Sequence, residues 1–286
     1  MKISQTVLLA YRRQTYRLAA GRRVTTPDQA LAFVNERRFI YFWPIKGVEL
    51  PSLWTAVAGD RPVANAHDDP GHVTWRWKDA WLGARRWYYA KVLRAKATLI
   101  ALDAAPAFYA LSDNFGDYEQ DHMEPYAAGA LTAEAKALYE ALLEKGPQHT
   151  IALRRNAGLS ARSAHTRFER ALSDLQMRWL IVPIGVAEAG AWRYSFIFDI
   201  VARHYPELPG QGQRFTRAEA RCQIVSWYLE SVGASTRQQA QRLFGWLASD
   251  MIRLWRDLPA RDLAWAPAEV AGQTGDWLAA PALAQR

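Results

Sequence analysis

Cysteine is nearly missing from this chain: 286 residues contain one, Cys222. A single thiol allows no disulfide within the chain and no cysteine-rich zinc site, which fits a reducing compartment. Long apolar runs are missing as well. The N-terminal stretch Met1–Ala10 is apolar for only a few residues before Tyr11-Arg12-Arg13, so it lacks the core of a secretory signal. No stretch reaches the roughly 20 apolar residues of a membrane helix. The expectation is a cytoplasmic protein without a membrane partner. There is no Gly-x-Ser-x-Gly elbow, no phosphate-binding loop and no dinucleotide fingerprint. No cofactor is therefore expected.

What the chain has is apolar residues, 50% of the total, and an excess of cations: 36 Lys plus Arg against 28 acidic residues, a formal charge of +8. The first allows a large core, and the length predicts about two or three domains. The second favours a polyanionic partner, nucleic acid before membrane.

The most legible stretch is 131–206. Ala135, Leu138, Tyr139, Leu142 and Leu143 form one apolar helical face, with Thr132 as cap and Gly146-Pro147 as stop. A short helix from about Thr150 to Asn156 follows. A third, which Ser160 is expected to cap, runs to about Met177 with Ala164, Phe168, Leu172 and Leu175 inward. The period then drops to near two in Trp179–Ile184 and Trp192–Phe198, which reads as a hairpin. Three helices and a hairpin is the order of a winged helix-turn-helix, whose third helix enters a DNA major groove. Its outward residues here are Arg162, Ser163, Thr166, Arg167 and Arg170, with Ser160 at the start and His165 on the flank. The wing segment Gly185–Gly190 holds Glu188 and no Lys or Arg, so the helix should lead any DNA contact.

The order repeats toward the C-terminus. Helices are expected from a Thr216/Glu219 capping box, from a Ser235/Gln238 box and from Ser249, with Cys222 on the inner face of the first. Leu263–Ala266 and Asp276–Leu278 then read as a hairpin. The fold class expected is mainly α with small β-hairpins, α+β, as tandem winged helices. Domains are placed at 1–125, 131–206 and 213–286, with linkers over about 112–130 and 206–212.

The first part is less regular, and six tryptophans fall between Trp43 and Trp87, interleaved with Arg76, Lys78, Arg85, Arg86, Lys91, Arg94 and Lys96. Such mixtures grip phosphates and stack bases, although tryptophan most often packs a core. Arg85 and Arg86, with Arg12 and Arg13 of the first helix, join the candidate DNA contacts. For chemistry, the first domain offers Glu49, His67, Asp68, Asp69, His72 and Asp79. His67-Asp-Asp-Pro-Gly-His72 matches no zinc signature and reads first as turn chemistry, so no metal is expected. Glu49 precedes Leu50-Pro51 and reads first as a helix-start residue.

The segments Trp77-Lys78-Asp79, Tyr88-Tyr89-Ala90-Lys91, Phe108–Leu111, Arg167–Leu175 and Ile181–Gly190, set in tandem winged helices, resemble the AlkZ/YcaQ family. Its members are bacterial DNA glycosylases that remove bulky alkylated bases and unhook interstrand crosslinks. The resemblance implies double-stranded DNA, alkylated or crosslinked, as the partner of a monomer acting in DNA repair. The family's catalytic Gln-x-Gln or Gln-x-Asp falls on Phe39–Pro44, which contains no Gln, Asp or Glu. DNA binding is thus implied more firmly than catalysis. The competing expectations are a glycosylase using other residues, a transcription regulator that dimerises on two half-sites, and a protein-docking module.

Overall fold

The structure, a computed structural model, describes residues 1–190, 193–261 and 265–284. Its class is α+β: helices predominate and three small sheets accompany them. The chain divides into two compact units. One comprises residues 1–77, 99–104 and 217–286, the other residues 78–98 and 105–216.

In the second unit, helix Ala133–Lys145 starts where Thr132 accepts a hydrogen bond from the Ala135 amide, and stops at Gly146 with φ +75°. A left-handed stop of this kind suits glycine because it lacks a Cβ. Helices Thr150–Asn156 and His165–Met177 follow, then strands Ile181–Ala187 and Ser195–Ile200. The strands pair antiparallel from Ile181↔Ile200 to Ala187↔Ser195, with a register shift between Pro183 and Gly185. Pro183 has no amide to donate, which suits it to a break in the ladder. A two-residue strand, Gln148–His149, adds on the far side of Ser195–Ile200. Leu138, Tyr139, Leu142, Leu153, Phe168, Leu172, Leu175, Ile181, Phe198 and Ile200 fuse these elements into one core.

Both expected linkers are structured. Within 112–130, helix Met123–Ala127 forms and Asp121 is buried, its carboxylate taking the Phe115 and Gly116 amides at 2.8 and 2.9 Å. Residues Leu208–Gly212 are helical, and a Cβ on Gly212 would lie 2.9 Å from the Tyr109 ring. Proline and glycine here start a helix and permit close packing, instead of breaking structure. Val73–Gly83, irregular by sequence, is also helical. Its inward positions Thr74, Trp77, Lys78 and Leu82 have helical spacing, but a buried lysine among them hides the pattern.

In the first unit, strands Lys2–Ile3, Ala266–Val270, Trp277–Ala279 and Ala234–Thr236 form one sheet in that order. Lys2–Ile3 lies parallel to Ala266–Val270, so the start of the chain completes a sheet of its C-terminal part. Helix Gln5–Thr15 follows, capped by Ser4, and Tyr11 donates its hydroxyl to the Glu230 carbonyl at 2.6 Å. A Cβ on Gly233, at φ +80°, would meet the Tyr11 ring at 2.7 Å. The capping box of helix Arg237–Phe244 uses Thr236 and Gln239, one residue beyond the expected pair, because Ala234–Thr236 is strand. Ser249 lies inside helix Ala248–Arg261 and does not cap it. Cys222 is half-buried, not in the core. The expected strand residues Trp192, Leu263 and Ala264 lie outside the described residues.

His204, in the second unit, supplies a pH test. Burial, with the Arg85 guanidinium adding to it, pushes its imidazole down to about 4. Below pH ~6.5 the unfolded chain takes up a proton here that the folded chain refuses until about 4. Stability therefore falls as pH drops through that window and is untouched above it. Melting curves should show a smaller loss of Tm on acidification in His204→Gln than in the parent chain.

Candidate nucleic-acid interface

The third helix of the second unit begins differently from the sequence expectation. Ser160 is exposed, Ala161 stands in the cap position without a side-chain bond, and a short turn, Arg162–Ala164, leads into His165–Met177. No side chain caps the first turn, and Arg154 instead ties the carbonyls of the corner before it. Its Nε donates to the Leu159 carbonyl at 2.7 Å and its Nη2 to that of Ala161 at 2.9 Å, while the guanidinium lies 5.6 Å from the Phe168 ring.

The helix buries Phe168, Ala171, Leu172, Leu175 and Gln176. On its other side Arg162, Ser163, His165, Thr166, Arg167 and Arg170 are exposed. Arg167 pairs with Glu134 at 2.8 Å yet keeps 62% of its side chain exposed, so the pair leaves it available. Among the described residues Arg162 and Arg170 have no side-chain partner, and their charge faces water. The helix is held from behind. On strand Tyr88–Leu93, the Lys91 amide donates to Gln176 Oε1 and its ammonium to Ser173 Oγ, each at 3.1 Å. Arg85 and Arg86, just before that strand, are both exposed, their guanidinium groups over the rings of Tyr205 and Trp81 at 5.9 and 5.1 Å.

Apart from Asp79, the remaining sequence candidates lie in the first unit, where Arg12, Glu49, Asp69 and His72 do structural work. Arg12 is internal: Nε donates to the Val232 carbonyl at 3.0 Å and Nη2 to that of Ala234 at 3.2 Å, and Nη1 pairs with Glu49 at 3.0 Å. It is thus a tie and not a DNA contact, and Glu49 is its counter-ion. Arg13, one residue on, is exposed. Asp69 accepts the Gly71 amide at 2.7 Å and the Arg61 guanidinium at 2.6 Å, and the Arg61 bond holds its carboxyl below the usual range. The His72 ring bonds the Ala64 carbonyl and lies 5.1 Å from Trp54 and 5.9 Å from Trp43. His67 and Asp68 are exposed. These groups do not converge, and no three His, Cys, Asp or Glu among the described residues could hold a metal. Phe39, Ile40, Tyr41 and Phe42 are all core. Of the six clustered tryptophans, Trp54, Trp77 and Trp87 are buried and Trp75 is 40% exposed.

Asp79, offered by the sequence as one candidate for chemistry among several, lies in the second unit in a constellation with two partners that the sequence did not assign to it. Lys78 is 1% exposed. Its Nζ contacts Asp79 Oδ1 at 2.6 Å and donates to the Tyr194 hydroxyl at 2.8 Å, and that hydroxyl donates to Asp79 Oδ1 at 3.0 Å. The ammonium lies 4.3, 5.1 and 5.5 Å from the ring centroids of Phe196, Tyr89 and Tyr194. Burial pushes the ammonium down from the ordinary lysine range, and Asp79 opposes that shift. The available signal was Lys78 at a helical core spacing, read instead as part of a basic, aromatic stripe.

Because Arg12 bonds two carbonyls and one carboxylate, Arg12→Ala should destabilise the chain by about 1–3 kcal/mol in urea unfolding. Its effect on DNA affinity should be negligible beside that of Arg170→Ala.

No match is found among curated proteins. Among solved structures, the Streptomyces sahachiroi DNA glycosylase AlkZ superposes with a TM-score of 0.63, covering 100% of this chain and 72% of its own at 14% identity, a likeness of fold. No helix among the described residues is long and apolar enough to cross a membrane. The family described as AlkZ related matches residues 24–245, and the chain accordingly belongs to the AlkZ-related family.

Proposed function

We propose that the protein binds double-stranded DNA as a monomer and acts in the recognition or repair of alkylated or crosslinked sites. In this reading residues 131–206 form a winged helix-turn-helix whose third helix, His165–Met177, meets the duplex. The C-terminal helices and sheet form a second such module. The observation that carries the reading is the exposed pair Arg167 and Arg170 on a helix anchored from behind by Lys91, with exposed Arg162 in the turn that leads into it. Long cations on a fixed helix can neutralise phosphates without the helix itself having to be ordered on binding. Arg85 and Arg86 extend the positive surface of the same unit. Ser160, Ser163 and Thr166 supply neutral donors beside it, of the kind that fix register on a phosphate backbone. The wing adds no net charge: the exposed Arg193 is offset by Glu188 beside it.

Base excision is the second reading, and the fold likeness to a DNA glycosylase favours it. Damage recognition and excision both call for a site that prefers a distorted duplex. A transcription regulator would instead require a dimer and two half-sites.

Fluorescence anisotropy with a labelled duplex tests the interface. Arg162, Arg167 and Arg170 replaced together by Ala should weaken binding at least tenfold and reduce the slope of log Kd against log salt by about two to three, roughly 0.9 per lost phosphate contact. All three positions are exposed, so Tm should stay within a degree or two of the parent. Unchanged affinity and slope would remove this helix from the interface.

A further inference from the structure

We propose that Asp79 is the catalytic carboxylate of an N-glycosidic hydrolysis on alkylated DNA, and that Lys78 and Tyr194 are its positioning residues. The proposal rests on the DNA-repair reading above and adds the group that would do the chemistry.

Energetics makes the first argument. Removing a lysine ammonium from water costs several kcal/mol even after relaxation, and an apolar side chain of similar volume in its place is often no less stable. Lys78 is nevertheless sealed at 1% exposure against three aromatic rings. Buried, partnered ionisable groups of this kind concentrate at functional sites.

Geometry makes the second. The ammonium sits behind and the carboxylate in front: Asp79 keeps 24% of its side chain exposed. Both the Lys78 contact and the Tyr194 hydrogen bond fall on Oδ1. Among the described residues no hydrogen bond reaches Oδ2. One oxygen is anchored by a cation and a phenol, and the other is open to a water or a sugar. A carboxylate that served only to neutralise a buried lysine would have no need of a second, fixed donor in Tyr194.

Position makes the third. Tyr89 of the cluster and Lys91, which holds the back of helix His165–Met177, are two residues apart on strand Tyr88–Leu93. Residues i and i+2 share a face and lie about 7 Å apart along a strand. One short rigid element therefore connects the carboxylate cluster to the helix proposed to meet DNA, both within the second unit.

The step balances without an oxidant or a co-reactant other than water. In an N7-alkylated purine the base carries a positive charge. The bond from deoxyribose C1′ to N9 breaks, and its electron pair leaves with the base, which departs neutral and needs no acid. A water oxygen bonds to C1′, and its proton passes to Asp79 Oδ2 and then to solvent. The ionised carboxylate also stabilises the positive charge that develops on the sugar. Lys78 and Tyr194 hold the carboxylate in place throughout.

The test uses the full chain and a duplex with one N7-alkylguanine. Single-turnover base release is read as alkali-labile strand breaks, and binding is read separately by anisotropy. The parent chain should release the base. Asp79→Asn should lose at least ~100-fold in rate while affinity stays within about twofold. Tyr194→Phe should lose less. That loss should fall on the single-turnover rate and leave duplex affinity within about twofold, a split that a purely structural tyrosine would not give. In Asp79→Gly, assayed below its measured Tm, added formate should restore part of the rate. A parent chain that binds the duplex but releases no base would overturn this proposal and leave the DNA-binding reading standing. So would an Asp79→Asn variant as fast as the parent, or an Asp79→Gly variant that formate does not rescue. A parent chain that does not bind the duplex would overturn the earlier reading.

Discussion

The second unit depends on how helix His165–Met177 is divided along its length. Phe168, Ala171, Leu172 and Leu175 enter a core shared with helix Ala133–Lys145 and strands Ile181–Ala187 and Ser195–Ile200. Burying a side chain such as Leu172 or Phe168 is worth roughly 1.5–3 kcal/mol. Those contacts fix the rotation of the helix about its axis, and every exposed arginine takes its direction from that rotation. The pins from Lys91 to Ser173 and Gln176 add a polar constraint on the same buried side. Removing the apolar stripe would leave the arginines present in sequence and undirected in space.

Where one physical signal dominated, the sequence was legible. Apolar spacing at 3.6 located Ala133–Lys145 and His165–Met177, and Thr132 and Gly146 marked the ends of the first. The hairpin followed from alternation, displaced by two or three residues from the observed strands. Legibility failed where one residue type can satisfy two demands. Ser160 is a good cap by type, but Arg154 reaches across from the preceding helix and takes up the carbonyls of that corner. Pro209 with Gly210 and Gly212 read as a linker, yet proline starts a helix as readily as it ends one. The pairing of Lys2–Ile3 with Ala266–Val270 has no local signature, since two residues carry no period.

The candidate site was legible in part for a related reason. Asp69 did what Asp-Asp-Pro-Gly implies, closing a turn through the Gly71 amide. The outward face of the third helix followed from its inward one. Arg12 was misjudged because a helical wheel assigns a face but not a neighbour, and its neighbour is a row of backbone carbonyls. Lys78 escaped because lysine at a core spacing is usually read as a break in the pattern, and its partner Tyr194 stands 116 residues away.

The net charge of +8 suggested nucleic acid, but the structure divides the cations into classes that a count cannot separate. Arg12 and Arg154 are consumed by main-chain carbonyls, and Arg61 by the Asp69 carboxylate. Lys78 is enclosed by rings. Arg162 and Arg170 keep their charge in water, where they can displace counterions condensed on a phosphate backbone without first losing a protein partner. A cation already bound to a carbonyl must lose that bond before it can meet DNA, and the two changes nearly cancel. Affinity for a polyanion should therefore follow the few uncommitted arginines and not the total. The enclosed lysine is kept from DNA by the same logic: its charge acts only through the Asp79 carboxylate beside it.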